Sequence, residues 1–111
     1  MDKEILKGSL DIILLLLLSP NSMYGYAIAK QIKKLANNSL EIGEGTLYPA
    51  LKRLEEKKYL DSYWGVKNRK YYKTTEKGKI ELKNKLDNWN IVNNLIQEIN
   101  LYTNSKEDAY E

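Results

Sequence analysis

Cysteine and histidine are both absent from this chain of 111 residues. Without them there is no thiolate nucleophile, no imidazole base and no zinc site built from nitrogen and sulfur ligands. This excludes most small hydrolases and metalloenzymes, and we predict a protein that is not an enzyme and that has no catalytic residues, metal or cofactor. The lack of cysteine also excludes a disulfide framework, which fits a reducing compartment.

Long hydrophobic runs are absent as well. The strongest run, residues 12–18, is far shorter than the ~20 residues that a membrane-spanning helix needs. Acidic residues at positions 2, 4 and 11 interrupt the start of the chain, whereas a signal peptide combines a basic start with an uncharged core. We therefore expect a cytoplasmic protein without a membrane partner.

Positive charge is concentrated in one part of the sequence. The formal net charge is only +3, but residues 59–85 hold 8 basic and 3 acidic groups, while residues 86–111 hold 1 and 5. The basic centre runs from Lys67 to Lys73. One surface of the protein is therefore expected to attract anions.

Three helices are predicted in the first half, over residues 3–18, 23–36 and 43–58. The first is apolar on nearly all sides, so its second side is expected to meet another copy of the chain. Ser22 is expected to cap the second helix, whose predicted core positions are Tyr26 or Ala27, Ile28, Ile32 and Leu35. The third has Leu47, Leu51 and Leu54 at helical spacing, and we expect it to start near Glu44 with Pro49 inside it.

A hairpin and a long helix are predicted for the second half. Aromatic-rich segments at residues 59–64 and 69–74 flank a turn at 65–68, which indicates a β-hairpin. Thr75 is a candidate N-cap for a terminal helix with an apolar seam that requires a partner helix. We divide the chain into a winged helix-turn-helix (1–75, its first helix also contributing to the dimer), a dimerisation helix (76–104) and a disordered tail (105–111).

This order of elements, mainly α with a small hairpin, is that of a winged helix-turn-helix, whose third helix enters the major groove of DNA. Beyond its leucines that helix carries Thr46, Tyr48, Lys52 and Arg53. The hairpin adds Lys67, Arg69, Lys70 and Lys73, whose mutual repulsion an anionic partner would relieve. The helix pattern alone favours a solvated amphipathic helix over a DNA-reading one. With the charge of the hairpin included, DNA binding and a solvated surface are equal hypotheses.

Four segments resemble the PadR family of bacterial transcriptional regulators: residues 7–11, 24–30, 44–55 and 69–78. The resemblance implies a homodimeric winged-helix repressor that reads an imperfect inverted repeat. It implies DNA contacts from the helix-turn-helix by Tyr24, Thr46, Tyr48, Lys52 and Arg53, and from the wing by Arg69, Lys70 and Tyr72. The wing tip, Val66-Lys67-Asn68, is shorter than is usual in that family, so we expect contacts to the sugar-phosphate backbone.

The context of Trp89, residues 86–92, is similar to that of short, multidrug-binding members of the same family. The resemblance implies that two copies of Trp89 face each other across the dimer and stack a planar, hydrophobic or cationic compound. Packing of a helix seam is the other explanation for this Trp. The further ligand-lining residues that the resemblance implies are Ile5, Gly8, Asp11, Ile12, Leu82, Leu86 and Asn93.

A function of another class stays open at this point. A protein-interaction adaptor would use the apolar first and last helices to bind a different chain, and the charge of the hairpin would serve solubility alone. Salt dependence separates the two functions, because DNA affinity falls log-linearly with salt concentration.

Overall fold

The computed structural model describes the backbone of residues 3–107 and the side chains of residue 6 and residues 8–105. Within these residues, four α-helices and three strands follow one another. They are α1 (Lys3–Leu17), β1 (Met23–Tyr24), α2 (Gly25–Leu35), α3 (Glu44–Glu56), β2 (Leu60–Trp64), β3 (Lys70–Thr74) and α4 (Glu76–Glu107). The predicted succession of three helices, a hairpin and a long terminal helix is confirmed.

Helix α1 supplies much of the core. Leu14, Leu15 and Leu18 are fully buried at and just beyond its end, whereas Leu16 is about half exposed. The core continues through residues of the other elements, and burying side chains of this size supplies most of the stabilisation of a small domain. Its largest fully buried members outside α1 are Ile28, Leu47, Leu51, Leu54 and Leu60.

Helix α2 starts two residues later than predicted, because Met23 and Tyr24 are extended and pair with Tyr72 and Tyr71 of β3. Ile28 and Ile32 are buried as expected. Of the alternatives Tyr26 and Ala27, Tyr26 is 66% exposed and Ala27 is partly buried. The predicted core position of Leu35 is wrong, because its side chain is also 66% exposed.

The predicted cap of α2 is also wrong. Tyr24 is the N-cap residue and makes no side-chain capping bond. Ser22 lies before β1 and its hydroxyl is 2.7 Å from the hydroxyl of Tyr63 instead. The serine therefore joins the first strand to the wing.

Helix α3 begins at Glu44 and contains Pro49, which confirms the early start. Leu47, Leu51 and Leu54 are buried as predicted, together with Ala50. The helix ends at Glu56, and Lys58, two residues later, is left-handed with φ of 69°. The Lys58 amide donates to the carbonyl of Glu55 and the Tyr59 amide to that of Leu54, the pattern of a Schellman motif.

The hairpin is confirmed and forms the outer part of a three-stranded antiparallel sheet of order β1-β3-β2. Its tip is a single 3-10 turn over Val66–Asn68, in which Lys67 and Asn68 have positive φ. Buried Thr74 fastens the sheet to α1, because its hydroxyl donates to the carbonyl of Leu15 at 2.8 Å. Its amide donates to the carbonyl of Leu18.

Helix α4 begins at the predicted cap, since the Gly78 amide donates to the Thr75 hydroxyl at 2.9 Å. Near its start, Leu82 is buried and Leu86 is partly buried against α1. The helix continues to Glu107, three residues beyond the predicted end, and the rest of the predicted tail lies outside the described residues. Beyond Leu86 most of α4 is exposed, and the molecule extends to 67 × 29 × 21 Å.

Candidate nucleic-acid interface

The outward face of α3 carries Thr46, Tyr48 and Lys52, all exposed, on the side opposite its buried leucines. Tyr48 is held in place by close packing against the start of α2. A Cβ atom added to Gly25 would lie 2.5 Å from the Tyr48 hydroxyl oxygen. A hydroxyl, a phenol and an ammonium group thus share one rigid helix face, and each can donate to a phosphate oxygen or to a base edge.

Arg53, predicted to face DNA, forms an ion pair with Asp11 of α1, predicted to line a ligand site. The guanidinium side chain is about half exposed, while Asp11 is mostly covered. The structure therefore joins two residues to which the sequence assigned separate roles. Part of the positive charge of Arg53 is neutralised within the chain.

The wing presents its cations in two different ways. Lys67 is exposed at the tip. Arg69 lies with its guanidinium carbon 4.4 Å from the centre of the Tyr24 ring, an arrangement typical of a cation–π contact. Tyr24 also meets Tyr71 edge to face, with ring centres 5.5 Å apart. Tyr24, predicted as a DNA contact, thus supports Arg69, which directly follows the tip of the wing.

The alternation of β3 places Tyr72 on the face of the sheet that meets the core. Its side chain is only 6% exposed, so little of it is open to the DNA contact that the resemblance implied. The same burial raises the pKa of the Tyr72 phenol. Tyr72 belongs to the core under the wing.

Lys70 shares that inner face, and its ammonium nitrogen is 3.1 Å from Oε1 of Glu55 on α3. The other oxygen of Glu55 accepts a hydrogen bond from the hydroxyl of Ser62 on β2. The Ser62 hydrogen bond, helped by Lys70, holds the pKa of Glu55 below its ordinary value, and the bond to Glu55 raises the pKa of Lys70.

Sequence reasoning missed Glu55. The sequence held a signal for the contacts of Glu55. Ser62 and Lys70 alternate with outward-facing residues of their strands, so their side chains face inward. Glu55 lies in the last turn of the helix packed beneath them. A shallow groove lies between α3 and β3, beside the contact of Glu55 with Lys70. It is lined by Tyr48, Lys52, Glu55, Glu56, Lys58, Lys70 and Tyr72.

The residues predicted to bind a small molecule are only partly brought together. Trp89 is 51% exposed on α4, Gly8 is exposed, and Ile12, Leu86 and Asn93 are partly buried. Leu82 is buried in the core of the single chain, which corrects its predicted place beside an open site. The side chain of Ile5 lies outside the described residues.

The described residues contain no group of three or more carboxylate, thiol or imidazole side chains placed to hold a metal ion. Over the same part of the chain, no helix combines the length and the apolar character that crossing a bilayer demands.

Comparison with known sequences shows one family. The sequence model of the transcriptional regulator PadR-like family matches residues 13–84. An uncharacterised protein of Lysinibacillus sphaericus is 38% identical over 97 residues, which cover 84% of this chain and 89% of that protein. The family match covers all the elements of the interface from α2 to the wing.

Comparison with solved structures agrees. A transcriptional regulator from Clostridium thermocellum superposes with a TM-score of 0.82 at 35% identity, over 86% of this chain and 97% of that one. Bacillus subtilis PadR in complex with operator DNA superposes with a TM-score of 0.63 at 26% identity, over 69% of this chain and 46% of that one.

Proposed function

Because the chain belongs to the PadR-like family of transcriptional regulators, we propose that it is a homodimeric repressor that binds a specific operator sequence. Membership in a family of regulators agrees with the prediction that it is not an enzyme. The observation that carries the proposal is the exposed face of α3, Thr46, Tyr48 and Lys52, beside a wing that bears Lys67 and Arg69.

DNA recognition divides between these two elements. Thr46 and Tyr48 lie in the first half of α3, the part of a recognition helix that reaches base edges in the major groove. Lys52 follows one turn later, and Lys67 and Arg69 belong to the wing, where cations contact phosphates. In the similar protein from B. subtilis the bound partner is operator DNA. Action on chromosomal DNA would place the repressor in the cytoplasm.

Dimerisation is proposed from the uncovered apolar side of α4. Val92, Leu95, Ile96 and Ile99 recur at spacings of three and four residues and are each 50–59% exposed. Such a row on one helix face is typical of a helix–helix interface. A two-fold axis between two copies of α4 would relate two copies of α3. Dimeric helix-turn-helix proteins bind half-sites about 34 Å apart, so we expect the operator to be an imperfect inverted repeat.

A mobility-shift assay on the DNA directly upstream of the protein's own gene tests the proposal. We expect a specific complex whose affinity falls log-linearly with salt and weakens when Lys52 is changed to Gln. Equal affinity for every DNA fragment, or none for any, would contradict it and favour the alternative of a protein-interaction adaptor.

We also propose that a planar hydrophobic or cationic compound binds at the dimer interface and releases the DNA. Support comes from Trp89, whose indole is half exposed on the same helix, near partly buried Leu86 and Asn93. Two indoles related by the dimer axis would sandwich a flat ring. Filling that space would change the separation of the two recognition helices and so weaken operator binding.

Titration of the protein with planar cationic dyes, followed by tryptophan fluorescence, tests the effector site. We expect saturable quenching that is lost in Trp89→Ala and retained in Trp64→Ala, a matched control because Trp64 is an exposed tryptophan of the wing. An unchanged dye affinity in Trp89→Ala would overturn the proposal.

A further inference from the structure

The carboxylate of Glu55 joins three elements of the proposed DNA-binding surface. It lies in the last turn of α3, its Oε1 accepts from Lys70 of β3, and its Oε2 accepts from Ser62 of β2. In the sheet register Ser62 pairs with Tyr72, and Lys70 lies two residues before Tyr72 on the same face. One side chain therefore contacts both wing strands at once.

Lys70 is partly exposed, but its charge is paired within the chain. Its ammonium nitrogen lies 3.1 Å from Glu55 and 5.4 Å from the centre of the Tyr72 ring, and its side chain is 36% exposed. Among the described residues, Lys52 and Lys67 form no ion pair, so their charges are open to solvent. A phosphate that approached Lys70 would also approach the carboxylate of Glu55, which repels it.

We propose that Glu55 is a positioning residue for DNA binding. By holding Ser62 and Lys70 it fixes the wing at one angle to α3. In this brace, the contacts of Glu55 with Ser62 and Lys70, Lys70 serves as a structural ion pair and not as a phosphate contact. This inference rests on the proposed DNA-binding function. The inference replaces the direct DNA contact that the family resemblance implied for Lys70.

The angle between wing and helix matters because the two elements contact the same duplex at different places. Base contacts by α3 are possible only when the backbone contacts of the wing fall on phosphates in the same register. Arg69, stacked on Tyr24, directly precedes Lys70 at the tip end of β3, so its position depends on that of the strand. Release of the brace would therefore misplace a cation that contacts DNA, even though Lys70 itself does not.

The first test compares Glu55→Ala with Glu56→Ala, its neighbour in the same helical turn. Both variants remove one negative charge and the same atoms, but only Glu55→Ala breaks the contacts with Ser62 and Lys70. Amide hydrogen exchange of the free protein should be faster in β2 and β3 of Glu55→Ala than in those of Glu56→Ala. Equal exchange in the two variants would overturn the brace whether or not the protein binds DNA.

The second test measures operator affinity over a series of salt concentrations, on the fragment upstream of the protein's own gene. Lys70→Gln should weaken binding about three- to tenfold, with no further loss when combined with Glu55→Ala, because the two residues act through one contact. Lys70→Arg, which keeps the ion pair, should restore the affinity.

The salt dependence distinguishes a brace from a phosphate contact. Lys70→Gln should leave the slope of log K against log salt unchanged, whereas Lys67→Gln should reduce its magnitude by about 0.9. A reduction of that size in Lys70→Gln, or tighter binding by Glu55→Ala than by Glu56→Ala, would overturn the proposal. If the wild-type protein binds no fragment specifically, the proposed function fails, and the exchange comparison still decides the brace.

Discussion

Single residues of this chain depart from the roles that their chemical type suggests, and contacts between distant elements explain why. Arg53 and Lys70 were both expected to contact DNA, but each is paired with a carboxylate from another element. Their partners, Asp11 and Glu55, are 42 and 15 residues away in the sequence. Sequence spacing indicates which residues share a helix face, but it does not show which element packs over that face.

The ion pair between Asp11 and Arg53 limits the charge that α3 offers to DNA. Changing Asp11 to Asn removes the carboxylate and leaves the guanidinium open to a phosphate. We predict a steeper salt dependence of DNA binding, by up to about 0.9 in the slope of log K against log salt. The control is Asp87→Asn, which makes the same charge change at an ion pair on α4. Identical slopes for the two variants would show that Arg53 gains no phosphate.

The left-handed residue after α3 is a lysine, which pays a steric cost that glycine avoids. Lys58 has φ of 69°, while its neighbour Lys57 has φ of −80°. Changing Lys58 to Gly should raise the free energy of unfolding in urea by about 1 kcal/mol. The same change at Lys57 should lower it, because there glycine only adds freedom to the unfolded chain. Equal effects at the two positions would contradict this explanation of the helix end.

At the scale of elements, long amphipathic segments were predictable from the sequence. A short strand that exists only through pairing with another element was not. The helices and the hairpin follow from apolar spacing and aromatic content, and the cap at Thr75 follows from its position before Glu76. Strand β1 has only two residues and exists because β3 offers it a free edge. That pairing delays the start of α2 from residue 23 to Gly25.

The junction between the wing and α4 depends on a close backbone approach at Gly78. A Cβ atom there would lie 2.1 Å from the carbonyl oxygen of Tyr59, which already accepts the amide of Thr75. We predict that Gly78→Ala lowers the free energy of unfolding by about 2–4 kcal/mol, because a main-chain atom cannot move aside as a side chain does.

The matched control for the junction is Gly45→Ala in α3, where an added Cβ meets no atom of the described chain within 4 Å. There the higher helix propensity of alanine should leave stability unchanged or raise it slightly. A loss at Gly45 as large as that at Gly78 would show that crowding at Tyr59 is not the cause. Thermal or urea unfolding measures both variants.

On the scale of the whole molecule, one chain covers only part of its own apolar surface. The core of α1 to β3 is closed, but α4 extends beyond it with apolar side chains in contact with solvent, and the radius of gyration is 17.7 Å. A compact domain of about 100 residues has a radius of gyration near 13 Å. The apolar seam of α4 was predicted from the sequence, and its side chains are exposed in the single chain. The partner helix that would cover the seam stays a prediction.

The exposed row of α4 provides the test of dimerisation by mutation. Ile99→Glu places a charge in the proposed interface and should weaken self-association about a hundredfold or more, since an unpaired buried charge is strongly unfavourable. Asn94→Glu adds the same charge on another face of α4 and should leave association unchanged. Sedimentation velocity over a range of protein concentrations measures both. If Ile99→Glu associates as the wild type does, α4 is not the interface.

The stoichiometry of the complex with DNA combines the two parts of the account, dimerisation through α4 and reading by α3 with the wing. Sedimentation equilibrium of the wild-type protein with a duplex from upstream of its own gene measures this ratio directly. We predict two chains on each duplex at saturation, at concentrations where a scrambled duplex of the same length is unbound. One chain for each duplex, or equal binding to the scrambled sequence, would contradict the account.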